Sequence, residues 1–360
     1  GEGMDEQTKQ ALELVAQPVF FAQEGRITWR NATAAGLLAK GTELSALVEQ
    51  ELLTLWPAES TLHLNVMLAG REYLLSLRRF RDGLLFVGEP QRQSGNDSEQ
   101  MEATAAQLRR PLQTMFAAAQ TLFESAEIAE IAENEATAQI SRSMYQILRL
   151  CGQLSDGGRA LRHALPVNRR AVDAKQFFDK LAETLEPLVK MLGMHFFYRG
   201  LTSPCRVWMD ETLIERAVFN LAVNAVCYTP KGGTITLSVE VLTSTLAVRL
   251  RDDGEGLSEL ATARLSDFSA PLTTEDARRG LGLGLVLVRE IARLHGGSLM
   301  MAGNGDQPGT TALFSVTLRP AHASLRSPEL RFDYAGGCNH GLVEFSELLP
   351  ETLYAPENIF

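Results

Sequence analysis

The stretch "RAVFNLAVNAVCYTPKGG", residues 216–233, together with "RDDGEGL" at 251–257, decides the fold of the second half of this chain. Asn220 and Asn224 are four residues apart, so on a helix both amides point to one face. Asp252 opens a D-x-G-x-G pattern in which Gly254 and Gly256 let the backbone turn tightly. Farther on, "RRGLGLGLVLVREIARLHGG", residues 278–297, sets Gly280, Gly282 and Gly284 in a flexible segment ahead of a helix whose N-terminal amides suit a phosphate. Gly296 and Gly297 are the expected C-terminal cap of that helix. "PGTTALFSVTLRP", residues 308–320, closes an alternation of helices and strands that begins near Lys175.

In order and spacing these stretches resemble the N, G1 and G2 boxes of the ATP-binding domain shared by histidine kinases, gyrase, the Hsp90 chaperones and the MutL repair proteins. The resemblance covers about residues 165–320, and boxes in series are far more specific than a lone G-x-G-x-G. It implies a Bergerat-type α/β sandwich at 164–320 that binds ATP with Mg²⁺. Asn224 is the implied metal ligand; a hard cation that keeps several waters needs only one amide oxygen besides the phosphates. The Asp252 carboxylate is implied to accept from the adenine amino group, which guanine does not offer, with Gly254 and Gly256 bringing the backbone close to the base. Asn220, the lid residues Gly280, Gly282, Leu283 and Gly284, Tyr228 as a stacking partner and Thr311 near Asp252 complete the implied nucleotide set.

Two positions depart from the histidine-kinase pattern. Cys227 stands where a Lys or Arg commonly precedes the Tyr; Arg278, Arg279 or Lys231 replace that charge or are ordinary solvated residues. The lid is also short and basic. In the ATP-hydrolysing branches a Glu general base lies four residues before the metal-binding Asn. Asn220 holds that position here, so simple hydrolysis is not expected.

Upstream, the polar stretch "QRQSGNDSEQ", residues 91–100, reads as a linker. Beyond it Met101, Ala105, Leu108, Leu112, Met115, Ala119 and Leu122 recur at alternating spacings of four and three, a heptad seam that Ile140, Met144, Ile147, Cys151 and Leu154 repeat. Two amphipathic helices joined by "ESAEIAEIAENEA" (124–136) form an antiparallel hairpin over 93–163. One hairpin leaves an apolar stripe uncovered, so a homodimer with a four-helix bundle is expected. Pro111 costs roughly 3 kcal/mol in a helix interior, yet the heptads run through it, which predicts a kinked continuous helix.

The family places a phosphoacceptor helix here, with a pattern close to Ser-His-Glu-Leu-Arg-Thr-Pro-Leu. "AAQLRRPL", residues 105–112, aligns without gaps, and Leu108, Arg109, Pro111 and Leu112 match. Ala106 takes the place of the nucleophilic His, and a methyl group cannot substitute. Gln107 replaces the acidic residue that orients the imidazole, and Arg110 the Thr implied to position water for dephosphorylation of the partner. Packing positions stay while all three chemical positions change, which implies a pseudokinase. His163 is a weak alternative acceptor, otherwise a surface or interdomain residue; His295 reads as a cation at a helix C-terminus. His63, His195, His322 and His340 have no catalytic context.

Residues 10–90 alternate short apolar runs with turn signals, as antiparallel strands with intervening helices. The hairpin, Asn and helix of "LVAQPVFFAQEGRITWRNATAAGLL" resemble a PAS sensor domain, placed at 8–92; Asn31 is either a turn or helix-cap residue or a ligand contact. The whole is an α+β multidomain chain. The tail, 321–360, is too apolar and aromatic for disorder and is expected to dock on the ATP domain or the bundle.

A formal charge of −10 and a pI near 5.3 speak against a nucleic-acid or anionic-membrane partner, which would need clustered Lys and Arg. The four cysteines are scattered without a C-x-x-C pair, and no apolar run of membrane-spanning length occurs, so a cytoplasmic location is expected. The chain opens "GEGMDEQ" without an initiating Met, so segments upstream are expected. The expected partners are a second copy and a response-regulator receiver domain or another kinase. The rival expectation is an active ATP-dependent kinase that phosphorylates a residue on a separate protein.

Overall fold

The computed structural model describes residues 4–56, 59–91, 105, 108, 112, 113, 115, 135–257, 283–318 and 339–354. The N-terminal part opens with α1 (Glu6–Glu13), capped by the Asp5 carboxylate on the Thr8 N–H at 2.7 Å. Strands β1 (Val19–Gln23) and β2 (Arg26–Arg30) form a hairpin. Its two-residue turn, Glu24 and Gly25, has φ of 51° and 76°, the left-handed pair whose twist matches that of the flanking strands.

Asn31 follows and is buried. Its side-chain oxygen accepts from Val19 N at 3.0 Å and Ala34 N at 2.9 Å, and its amide donates to Val15 O and Gln17 O at 3.0 and 2.8 Å. It caps α2 (Ala32–Ala35) and ties the chain entering β1 to the chain leaving β2. The structural role proposed for this Asn is thus the observed one.

A 3₁₀ turn (Leu44–Ala46) and α3 (Gln50–Thr54) lead into β3 (Leu62–Leu68), β4 (Arg71–Phe80) and β5 (Gly83–Pro90), all antiparallel. The resulting order is β2-β1-β5-β4-β3, over a core in which Phe20 and Phe86 stack at 4.6 Å.

In the second half, β6 (Arg170–Asp173) pairs with β8 (Arg206–Met209) in a small separate sheet. The main strands are β7 (His195–Arg199), β9 (Thr234–Val241), β10 (Thr245–Asp252), β11 (Leu299–Gly303) and β12 (Thr310–Thr317), in the order β11-β12-β10-β9-β7 with β7 parallel to β9. Side chains alternate between faces with period two. Leu246, Val248, Leu250, Phe314 and Val316 join the core that includes residues of α5 (Ala174–Met191), α6 (Glu211–Tyr228) and α7 (Gly284–Leu294). Ala247, Met300, Ala302 and Leu313 belong instead to the N-terminal core with Leu62 and Leu64.

This second face carries the main departure from a picture of separate units in series. β11 pairs antiparallel with β3, Met300 opposite Leu64 and Ala302 opposite Leu62, so both halves share one ten-stranded sheet. An unpaired β11 would leave a row of backbone donors and acceptors exposed beside an apolar face, and β3 removes both liabilities. Glu51 reinforces the join by accepting from Thr243 N at 2.8 Å, and Glu49 accepts from the hydroxyls of Ser244 and Thr245.

Helix α4 (Glu135–Leu161) is the second helix of the expected hairpin, and residues 105, 108, 112, 113 and 115 are also helical. Leu112 packs in one cluster with Leu148 and Cys151. Within one chain the seam is half covered: Ala105, Leu112, Met144 and Cys151 are buried, whereas Leu108, Met115, Ile140 and Ile147 are 43%, 56%, 55% and 37% exposed. Pro111 and the connection at 124–134 lie outside the described residues. No helix among the described residues is long and apolar enough to cross a membrane.

Candidate nucleotide site

Asp252 ends β10 and is buried. Its Oδ1 accepts from Gly254 N at 2.9 Å and Thr310 N at 3.1 Å; among the described residues no donor reaches Oδ2. Burial pushes the carboxyl above its ordinary range, against the two backbone hydrogen bonds that favour the charged form. The carboxylate is therefore held by one oxygen, while the other makes no hydrogen bond among the described residues. That suits an amino group arriving on a ligand.

Behind it sits Asn304, also buried. Its amide donates to Asp252 O at 2.7 Å and Pro308 O at 2.9 Å, and its oxygen accepts from the Thr311 hydroxyl at 2.7 Å. Thr311 is thus near Asp252 but acts through Asn304. Gly309, at φ 104°, passes so close to the Asp252 carbonyl that a Cβ would collide with it. Asn304 and Gly309 were missed from sequence. "GNGDQPG", residues 303–309, carries the turn signal, but what the amide holds depends on the strand that the turn folds against.

Asn220 and Asn224 lie on α6, whose C-terminal residue is Tyr228, 38% exposed. The Asn220 amide donates to Arg216 O at 2.8 Å, and its oxygen faces Gly284, where a Cβ would lie only 2.6 Å away. Gly284 is small because α6 and α7 approach closely there. Asn224 is half-buried, and its amide makes no hydrogen bond among the described residues. Gly254 packs on the Tyr228 carbonyl, which also accepts from Glu255 N at 3.2 Å. The end of α6 thus leaves no space for a side chain at Gly254, and Gly256, at φ 87°, makes the tight turn.

Leu283 is buried against Gly157 of α4, where a Cβ would lie 2.8 Å from it, so it faces the hairpin. Leu283, at the N-cap of α7, makes no side-chain capping hydrogen bond. Gly280, Gly282, Arg278 and Arg279 lie outside the described residues, as do Ala106, Gln107 and Arg110; Lys231 is exposed. No cluster of His, Cys, Asp and Glu suited to a metal occurs among the described residues.

Residues 209–322 match the family described as histidine kinase-, DNA gyrase B- and HSP90-like ATPase. Similar proteins include Histidine kinase P4 of Formosa agariphila, 24% identical over 54% of this chain and 14% of its own length, and the adaptive-response sensory kinase SasA of Crocosphaera subtropica, 29% identical over 59% of this chain and 57% of its own. Residues 209–322 thus carry a domain of that ATPase family, and the chain is similar to sensor histidine kinases. It spans little more than half the length of one of those relatives and far less of the other. Among solved structures, full-length ShkA in complex with AMPPNP is 23% identical, with a TM-score of 0.48 over 61% of this chain and 45% of that one.

Two histidines join helices. His163 follows α4 and lies with Nδ1 2.9 Å from the Glu290 carboxylate on α7. His295, expected as a cation, is fully buried: one ring nitrogen lies 2.7 Å from Ile291 O, and the other accepts from Asp210 N at 3.0 Å. Burial depresses its pKa from the ordinary 6.5, so it is a neutral clip between the end of α7 and the start of α6.

A pH effect follows. The unfolded chain takes up the His295 proton first on acidification, so this contribution to stability is complete above about pH 6.5 and is lost as pH falls below it. Urea unfolding of the native chain and of His295→Gln between pH 8 and 5 should show the native chain's advantage shrinking by up to about 1.4 kcal/mol per pH unit in that window. A difference that does not change with pH would mean that His295 is not buried neutral.

Proposed function

We propose that this chain is a dimeric, cytoplasmic pseudokinase of two-component signalling that binds Mg-ATP and regulates a response regulator or another kinase by contact. The observation that carries the proposal is Ala106, at the family's acceptor position, in a chain whose buried Asp252 is held by backbone N–H groups at one oxygen and makes no hydrogen bond at the other among the described residues, an arrangement suited to an adenine amino group. Asp252 reads the base, Asn224 offers an amide oxygen to Mg²⁺, and Tyr228 offers its exposed ring for stacking. Asn220, Gly254, Gly256, Gly280, Gly282, Leu283, Gly284 and Thr311 shape the site around them. The N-terminal part, 8–92, serves as a PAS-like sensor; its hairpin, Asn31 cap and five-stranded antiparallel arrangement support this. The exposed seam residues Leu108, Met115, Ile140 and Ile147 support dimerisation through a four-helix bundle over 93–163.

A switch of this kind needs nucleotide binding that differs between two conformations. The nucleotide half, 164–320, is placed to couple them, because α7 touches both neighbours: Arg289 pairs with Glu72 of β4 at 3.2 Å, and Glu290 with His163 at 2.9 Å. The completeness of the Asp252 environment also suits the rival role, a kinase acting on a separate protein. Receiver-domain proteins titrated into nucleotide-free and ATP-loaded chain test the proposal. Affinity that changes several-fold with ATP is expected, and no receiver binding in either state would overturn the partner assignment.

A further inference from the structure

Residues 339–354 are attached to two different parts of the molecule at once. Helix α8 (His340–Glu344) begins at Asn339, whose side chain accepts from Leu342 N at 3.2 Å, and a 3₁₀ turn (Glu351–Tyr354) follows. On one side the segment grips α4. Arg142 donates from Nε to Ser346 O and from Nη2 to Glu347 O, both at 3.0 Å, and its Nη1 lies 3.2 Å from the Glu351 carboxylate. Tyr354 is fully buried, edge-on to Tyr145 with ring centroids 5.3 Å apart. On the other side it grips α6: Phe345 meets Phe219 edge-on at 6.1 Å, and His340 Nδ1 lies 2.7 Å from the Glu215 carboxylate.

Buried charges occupy the seam. Glu344 faces Arg149 of α4 at 3.9 Å, and Asp156 of α4 pairs with Arg216 of α6 at 2.5 Å, with no side chain of the four more than 6% exposed. Two carboxyl groups and two guanidinium groups from three elements meet there, burial pushing the Glu344 carboxyl above its ordinary range, and removing one would strand a polar partner away from water.

Among the described residues, three close contacts join the C-terminal end of α4 to the ATP-binding half: Asp156 with Arg216, Gly157 against Leu283, and His163, just beyond the helix, with Glu290. Attachment at one end alone would act as a pivot. The C-terminal segment reaches back to Arg142, roughly 21 Å farther along α4 at the helical rise per residue. A second attachment at that lever arm removes the pivot.

We propose that residues 339–354 are an intrachain clamp that fixes the ATP-binding half against the hairpin helix, so that the two move as one body. A kinase that carries ATP to a histidine on its hairpin needs these parts to shift against each other. A chain with Ala106 has no such need, although the clamp itself does not depend on nucleotide binding.

The test is the distance between spin labels at the exposed positions Ser143 and Lys231, attached through unnatural amino acids and diluted with unlabelled chain. The intact chain should give one narrow distance. The double variant Arg142→Ala, Tyr354→Ala, and a chain without residues 339–360, should give a distribution at least about twofold broader, with amide protection in β9, β10 and β12 retained as proof of folding. Should the deletion fail to fold, the double variant decides. A broad distribution in the intact chain, or an unchanged narrow one in the folded double variant, overturns the clamp.

Discussion

Asp252→Asn is expected to weaken ATP binding by roughly ten- to a hundredfold, the worth of a hydrogen bond to a charged group. The Gly254 and Thr310 N–H groups both point at Oδ1, so the asparagine would keep its oxygen there and place its NH₂ where Oδ2 now lies. A donor would then face the adenine amino group, and the preference for ATP over GTP should vanish along with the affinity. The free carboxyl is pushed upward by burial, and the amino group favours its ionised form. ATP affinity of the native chain should therefore fall as pH drops through that raised value, while the variant stays level over the same range. Calorimetric titration at several pH values checks both; equal affinity of the two chains would remove Asp252 from base recognition.

Gly309→Ala should be the most damaging single change near the site, costing roughly 3 kcal/mol or more of stability and abolishing ATP binding at ordinary concentrations. Left-handed φ and a collision with the Asp252 carbonyl act together at this glycine. Relief requires β10 and the 303–309 loop to separate, which breaks the hydrogen bond from Asn304 to that carbonyl and lets Asp252 turn. Gly303→Ala is the matched control: its added Cβ meets nothing within 4 Å. Urea unfolding should separate the two variants clearly, and similar midpoints would show that the close approach at Gly309 is not rigid.

The site was legible where a side chain acts near its own position in sequence. Asp252 with its glycines, and the two asparagines one helical turn apart, follow from local geometry that a motif records. Asn304 was not legible, because its amide is defined by a carbonyl 52 residues away that only strand pairing brings near. The sharing of one sheet by β3 and β11 was invisible for a similar reason. The continuous apolar run of β11 indicates that both faces are covered, but not by what. The heptads marked the helix now seen at 135–161 but treated its seam as uniform. Its members Ile140 and Ile147 are exposed, whereas Met144 and Cys151 are already buried within the chain. His295 misled because a helix C-terminus favours a cation only where water can reach it, and this ring is sealed between α6 and α7.

The central claim is that a chain able to hold Mg-ATP has lost the means to phosphorylate itself. Incubating it with γ-labelled ATP and Mg²⁺, then following label on the protein through acid treatment, tests this most directly. Bound nucleotide recovered intact, with no label on the chain, is the predicted result. Acid-labile label on this chain would contradict it, since that bond is the mark of a phosphorylated histidine.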